Sequence, residues 1–249
     1  MTGRLREFCG GFVGLLRIRA VLGVALLHWG TAIFVLSLPG LRTPGYLSAL
    51  GLGFVLLFSA PALGLVLPGA ASLREAMQTL ARGVGILVFI PFVYTVFNAL
   101  FQPVCAPGLA LGFWLLGPMF GAALGLAFGM SVGVHKPLGP RWGQALVVLL
   151  AIATSVIWHL YRLYSEPVVF LYHPVVGYLA GPIYETNPGI GFPFFAHRFW
   201  WSAAFILFFA HWLSNRRRWV GLAVIWLVAH CEADTATPAA ADTVTMTVT

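Results

Sequence analysis

From Tyr46 to Leu67 the chain reads YLSALGLGFVLLFSAPALGLVL, without one charged side chain. About 20 such residues are what a helix needs to cross a hydrocarbon core of about 30 Å. Comparable runs occupy about 20–38, 83–101, 109–132, 142–163 and 199–213. Hydrocarbon offers no water to backbone groups, so a crossing segment must be a helix or part of a closed barrel. The runs are apolar throughout and do not alternate, which selects helices. Only 8% of the 249 residues are charged, against roughly 25% in a soluble domain. The expected fold class is all-α: a polytopic transmembrane helix bundle over residues 1–231 with six full spans.

A seventh apolar segment, 219–231, is too short to cross upright. It gives way to EADTATPAAADTVTMTVT, a Thr/Ala tail without a basic residue. Residues 232–249 read as disordered. The segment is either a tilted, half-inserted helix or an interrupted span. In the second case the chain is the membrane half of a larger protein whose extracytoplasmic domain is missing.

The net charge of +7 does not point to nucleic acid, because the cations sit in short clusters between apolar runs. With the N-terminus inside, eleven of the 14 cations face the cytoplasm: Arg4, Arg6, Arg17, Arg19, Arg74, Arg82, Lys136, Arg141, Arg216, Arg217 and Arg218. Arg42, Arg162 and Arg198 face outward. This is the positive-inside pattern, and it predicts a cell-membrane protein with a cytoplasmic N-terminus. The same rule governs the apolar stretch 164–198. A full crossing there would move Arg216–Arg218 outside, so the stretch begins and ends on the outer face. Pro174, Gly177, Gly181 and Pro182 break it. It is predicted to be an extracytoplasmic, partly re-entrant loop shielded by the bundle.

Two short amphipathic helices are predicted on the inner side. One covers the basic N-terminal residues before the first span. The other follows Ser72, which with Glu75 forms a capping-box pattern. Leu73, Met77 and Leu80 fall on one face of it, a surface suited to a cytoplasmic protein partner at 72–82. Pro91 is expected to kink the third span.

Titratable residues are scarce in the spans. His28 and His211 are the exceptions, and each reads first as a neutral histidine bonded to a neighbouring helix and second as a relay or ligand. The outer ensemble is richer. His159, Glu166, His173, Glu185 and His197 could supply acid, base or metal ligands. Against that, no HExxH pattern or close histidine pair is present, and a belt of interfacial Tyr, His and Trp explains the same residues. The cysteines Cys9, Cys105 and Cys231 have no metal-ligand spacing. No nucleotide or other cofactor motif occurs, and no metal or cofactor is expected.

Gly117, Gly121, Gly125, Gly129 and Gly133 recur every fourth residue and make one small helix face. Such a face lets two helices approach closely, within the chain or across a homo-oligomer. Two functions remain open. One is a non-enzymatic permease-like or scaffold subunit. The other is a membrane-embedded enzyme acting on a lipid or lipid-linked substrate at the outer face.

Overall fold

The computed structural model describes residues 2–67, 73–102, 104, 106–134, 141–165, 170–180 and 195–201. The chain forms two compact units, Met1–Ile190 and Gly191–Thr249. In the first unit the helices are α1 (Thr2–Leu36), α2 (Tyr46–Val66), α3 (Leu73–Ala99), α4 (Pro107–Trp114), α5 (Phe120–Val134) and α6 (Arg141–Ser165). A π-helical turn, Leu115–Met119, joins α4 to α5. Strands β1 (Phe170–His173) and β2 (Gly177–Ala180) follow as an antiparallel hairpin. In the second unit the described residues 195–201 are helical.

Five segments are long and apolar enough to cross a membrane: Ile18–Leu36, Tyr46–Val66, Arg74–Ala99, Pro107–Gly133 and Arg141–Arg162. They overlap the first five expected spans, the third beginning at Arg74 and not at 83. The expected spans at 199–213 and 219–231 and the tail lie outside the described residues, apart from 199–201. Large apolar side chains such as Phe34, Phe58, Phe89 and Leu149 point away from the bundle. An apolar exterior this extensive suits a lipid environment.

One expectation about the inner side is corrected: instead of a separate basic surface helix, α1 runs unbroken from Thr2. The amphipathic stretch after Ser72 leads into the third span as expected, within a single helix α3 from Leu73. Gly83, where the third span was expected to begin, is buried against the side chain of Leu126, 2.9 Å from where its own Cβ would lie. This glycine serves close packing, so it does not end a helix. The hairpin was not foreseen either. It lies inside the expected 164–198 loop, whose first two residues belong to α6 and whose residues 166–169 and 181–194 are outside the described ones.

Helix α2 is the hub, and its closest neighbour is α5. A Cβ on Gly129 would collide with the carbonyl oxygen of Pro61, and one on Gly64 with that of Leu126. Gly125 faces the Ala60 methyl, which would lie 2.8 Å from an added Cβ. The glycine face therefore takes the internal option and holds α2 backbone to backbone. Gly121 differs from its neighbours in the stripe, because it faces the backbone of Val175 in the hairpin.

Proline shapes two helices. Pro118 in the π turn has no N–H for the Trp114 carbonyl, and the wider turn accommodates its ring. Trp114 is buried, packs edge-on against Phe92 and donates its indole N–H to Ser48 Oγ at 3.1 Å. Ser48 Oγ also accepts from Gly45 N–H at 2.9 Å and donates to the Gly45 carbonyl at 3.0 Å. One donor and two lone pairs are all used. Pro91 lies inside α3 and leaves the Leu87 carbonyl without its helical donor. His28 fills that place.

Candidate functional site

Among the described residues of the first unit, two buried histidine networks carry the polar chemistry. The first is at mid-span. His28 is 1% exposed, its Nε2 lies 2.7 Å from the Leu87 carbonyl and its Nδ1 lies 2.7 Å from Ser59 Oγ. Because a carbonyl only accepts, Nε2 carries the hydrogen. In the neutral ring Nδ1 then accepts from the Ser59 hydroxyl, which otherwise donates to the Val55 carbonyl at 2.8 Å. Next to it, Trp29 donates its indole N–H to the Ile86 carbonyl at 2.6 Å. Two consecutive α1 residues thus bond the α3 backbone one turn before Pro91. The first reading of His28, a histidine bonded to neighbouring helices, is the one found; His211 lies outside the described residues.

The second network holds the hairpin. His173 is 3% exposed, and its Nδ1 lies 3.1 Å from the N–H nitrogen of Val175 and 3.0 Å from that of Val176. Both amides donate, so Nδ1 must offer its lone pair. The hydrogen of the neutral ring is then on Nε2 and points at Ser155 Oγ on α6, 3.0 Å away. His159 is buried one turn further along α6 and donates from Nδ1 to the Ser155 carbonyl at 2.6 Å. The two imidazole centroids are 4.5 Å apart.

Local sequence explains this placement. Pro174 starts the three-residue connection, and Gly177 supplies the left-handed backbone (φ 103°) that returns the chain into β2. The tip residues Val175 and Val176 pack against Gly121 and Gly53, where a Cβ at either glycine would overlap the tip backbone. Val176 is 2% exposed. A bulkier residue in α2 or α5 at these points would exclude the tip. The sequence signal for it was present in Gly53, which breaks the helical preference of α2 without ending the helix.

Of the five candidate acid, base or ligand residues, His159 and His173 are brought together. Glu166 and Glu185 lie outside the described residues. His197 belongs to the second unit, where its Nε2 accepts the indole N–H of Trp201 at 3.0 Å. Among the described residues no group of three His, Cys, Asp or Glu side chains could hold a metal. The arrangement also bears on nucleophilic chemistry. A serine nucleophile needs a base to take its proton, but His173 presents Nε2–H to Ser155 and uses its lone pair on the turn. We expect the side-chain 15N shifts of labelled protein to report the Nε2–H tautomer for His173 and the Nδ1–H tautomer for His159. The opposite tautomer at His173 would reopen a Ser155–His173 dyad.

The expected docking face is split. Met77 is 56% exposed, Leu80 is 5% exposed, and the side chain of Leu73 lies outside the described residues. Leu80→Asp would bury a carboxylate and should lower stability by several kcal/mol, whereas Met77→Asp should leave the melting temperature within a degree or two. Thermal melting of both variants in detergent checks this. No family model, no curated protein and no solved structure matches this chain.

Proposed function

We propose that the protein is a non-enzymatic, permease-like multi-pass membrane subunit whose hairpin is a re-entrant plug in the outer mouth of the bundle. The supporting observation is the seating of Val175 and Val176 on Gly121 and Gly53, held by the neutral imidazole of His173. Gly53 is seven residues into α2, so the tip sits about 10 Å below the outer end of that helix at 1.5 Å per residue. Irregular backbone at this depth needs shielding by protein, and the two glycines provide it. His173 completes the arrangement by accepting the two amides of the turn.

The N-terminus is cytoplasmic in this reading and the hairpin extracytoplasmic. A protein partner on the inner side would meet Met77, with Arg74 and Gln78 beside it, because these are exposed. The plug is tested by small-solute flux into proteoliposomes. His173→Ala removes the latch, and losing buried hydrogen bonds of about 1–3 kcal/mol raises the undocked population roughly 5- to 150-fold. Flux should rise in the same proportion. Unchanged flux in a variant whose hairpin is released would reject the permease-like function and leave a scaffold.

A further inference from the structure

We infer that the groove between α1 and α2 binds one acyl chain of an anionic phospholipid and that Arg42 holds the phosphate. The groove is open along its length, has a volume of about 470 Å³ and is lined by apolar side chains, among them Val35, Leu41, Leu47, Phe54 and Phe58, together with Gly51. The lining hydroxyl of Thr31 is already donated to the Leu27 carbonyl at 2.8 Å, so the groove makes no demand for a polar occupant. From Leu47 to Phe58 it follows α2 for about 16 Å at 1.5 Å per residue. That matches one leaflet, about half of a 30 Å core.

An apolar groove alone would be ordinary lipid contact. Its headgroup end is what singles it out. Leu38, Pro39, Gly40 and Leu41 form a turn in which Gly40 has φ 84° and Leu41 N–H donates to the Leu38 carbonyl at 3.1 Å. Proline followed by a left-handed glycine is the pattern of a type II turn. The turn lays Leu41 beside Gly51, 3.6 Å from where a Cβ on that glycine would lie. The next residue is Arg42, which is exposed and donates Nε–H to the Ser37 carbonyl at 2.7 Å. This bond fixes the guanidinium through one edge and leaves its terminal amino groups for an anion. Paired N–H donors of this kind match phosphate oxygens. Arg42 directly follows the lining residue Leu41 and is tied to the C-terminal end of α1, so the cation belongs to the loop end of the groove, the end at which a lipid headgroup would lie.

The test uses the full chain purified in detergent, with native mass spectrometry against phosphatidylglycerol and phosphatidylcholine of matched chains. The wild type should retain phosphatidylglycerol about five-fold better, the factor expected of one arginine at a membrane surface. Arg42→Gln should abolish that preference and leave phosphatidylcholine retention unchanged. Thr31→Trp should fill the groove and lower retention of both lipids. Equal retention of the two lipids by the wild type, or a preference that survives Arg42→Gln, would overturn the site and leave only annular lipid. Cross-linked dimers from Phe54→Cys in a background lacking Cys9, Cys105 and Cys231 would overturn it too, with a second copy as the occupant. Melting temperatures show whether each variant folds. Resistance to alkaline carbonate extraction tests bilayer insertion separately, so failure of the lipid site and failure of the membrane reading are distinguishable.

Discussion

Gly129→Val should cost about 3 kcal/mol or more and strip most folded protein from a detergent preparation. The reason is geometric. The position a Cβ would take at residue 129 is occupied by the carbonyl oxygen of Pro61, and a backbone atom cannot rotate away as a side chain can. Helices α2 and α5 would have to separate along the stripe that also seats Gly125 on Ala60 and Gly64 on Leu126. Overpacking a core costs about 1–3 kcal/mol when side chains can adjust, and here they cannot. Gly85→Ala is the matched control. Nothing lies within 4 Å of a Cβ there, and α3 should gain about 0.5–1 kcal/mol from the better helix former. Thermal melting followed by size-exclusion chromatography separates the two outcomes. A Gly129→Val protein that melts like wild type would mean that the glycine stripe does not pack on α2.

The second large effect is expected at His28, and its size depends on Pro91. His28→Leu leaves the Leu87 carbonyl buried without a donor, at a cost of about 1–3 kcal/mol. Pro91→Ala supplies a backbone N–H at the position that normally bonds residue 87. In that background His28→Leu should cost about 1 kcal/mol less, a coupling well inside the range for residues sharing a partner. Unfolding of the four proteins in mixed micelles measures the cycle. Additive effects would show that His28 does not stand in for the missing donor.

The chain announces its spans clearly because hydrocarbon imposes one rule on every crossing residue. That is why Tyr46–Val66 and Arg141–Arg162 fall where the apolar runs lie. The face of the glycine stripe was equally legible, since a spacing of four places all five residues on one side. Which neighbour it meets was not, because close approach to α2 and close approach to another chain need the same small residues. The role of Gly83 was hidden for a related reason: only the side chain of Leu126 against it shows that it is a packing contact.

Site residues were legible only in part. His159 and His173 were singled out by type, but their pairing depends on a hairpin made by Pro174 and Gly177. A four-residue strand carries too little periodicity to be recognised within an apolar loop. Ser155, which receives Nε2–H of His173, gave no signal: a serine inside a transmembrane helix usually bonds its own backbone. The link between His28 and Pro91 was similarly hidden, although both residues were noted separately. It joins positions that only the packing of α1 on α3 brings together.

In the proposed topology the hairpin enters the bundle from the outer face. The most direct test is labelling of single cysteines by a membrane-impermeant maleimide on intact cells, in a background lacking Cys9, Cys105 and Cys231. Thr43→Cys, in the loop between α1 and α2, should label. Val176→Cys should stay protected and should become reactive when His173→Ala is added. Free labelling at position 176 with His173 intact would contradict the docked hairpin, and labelling at position 43 only after the cells are opened would invert the topology.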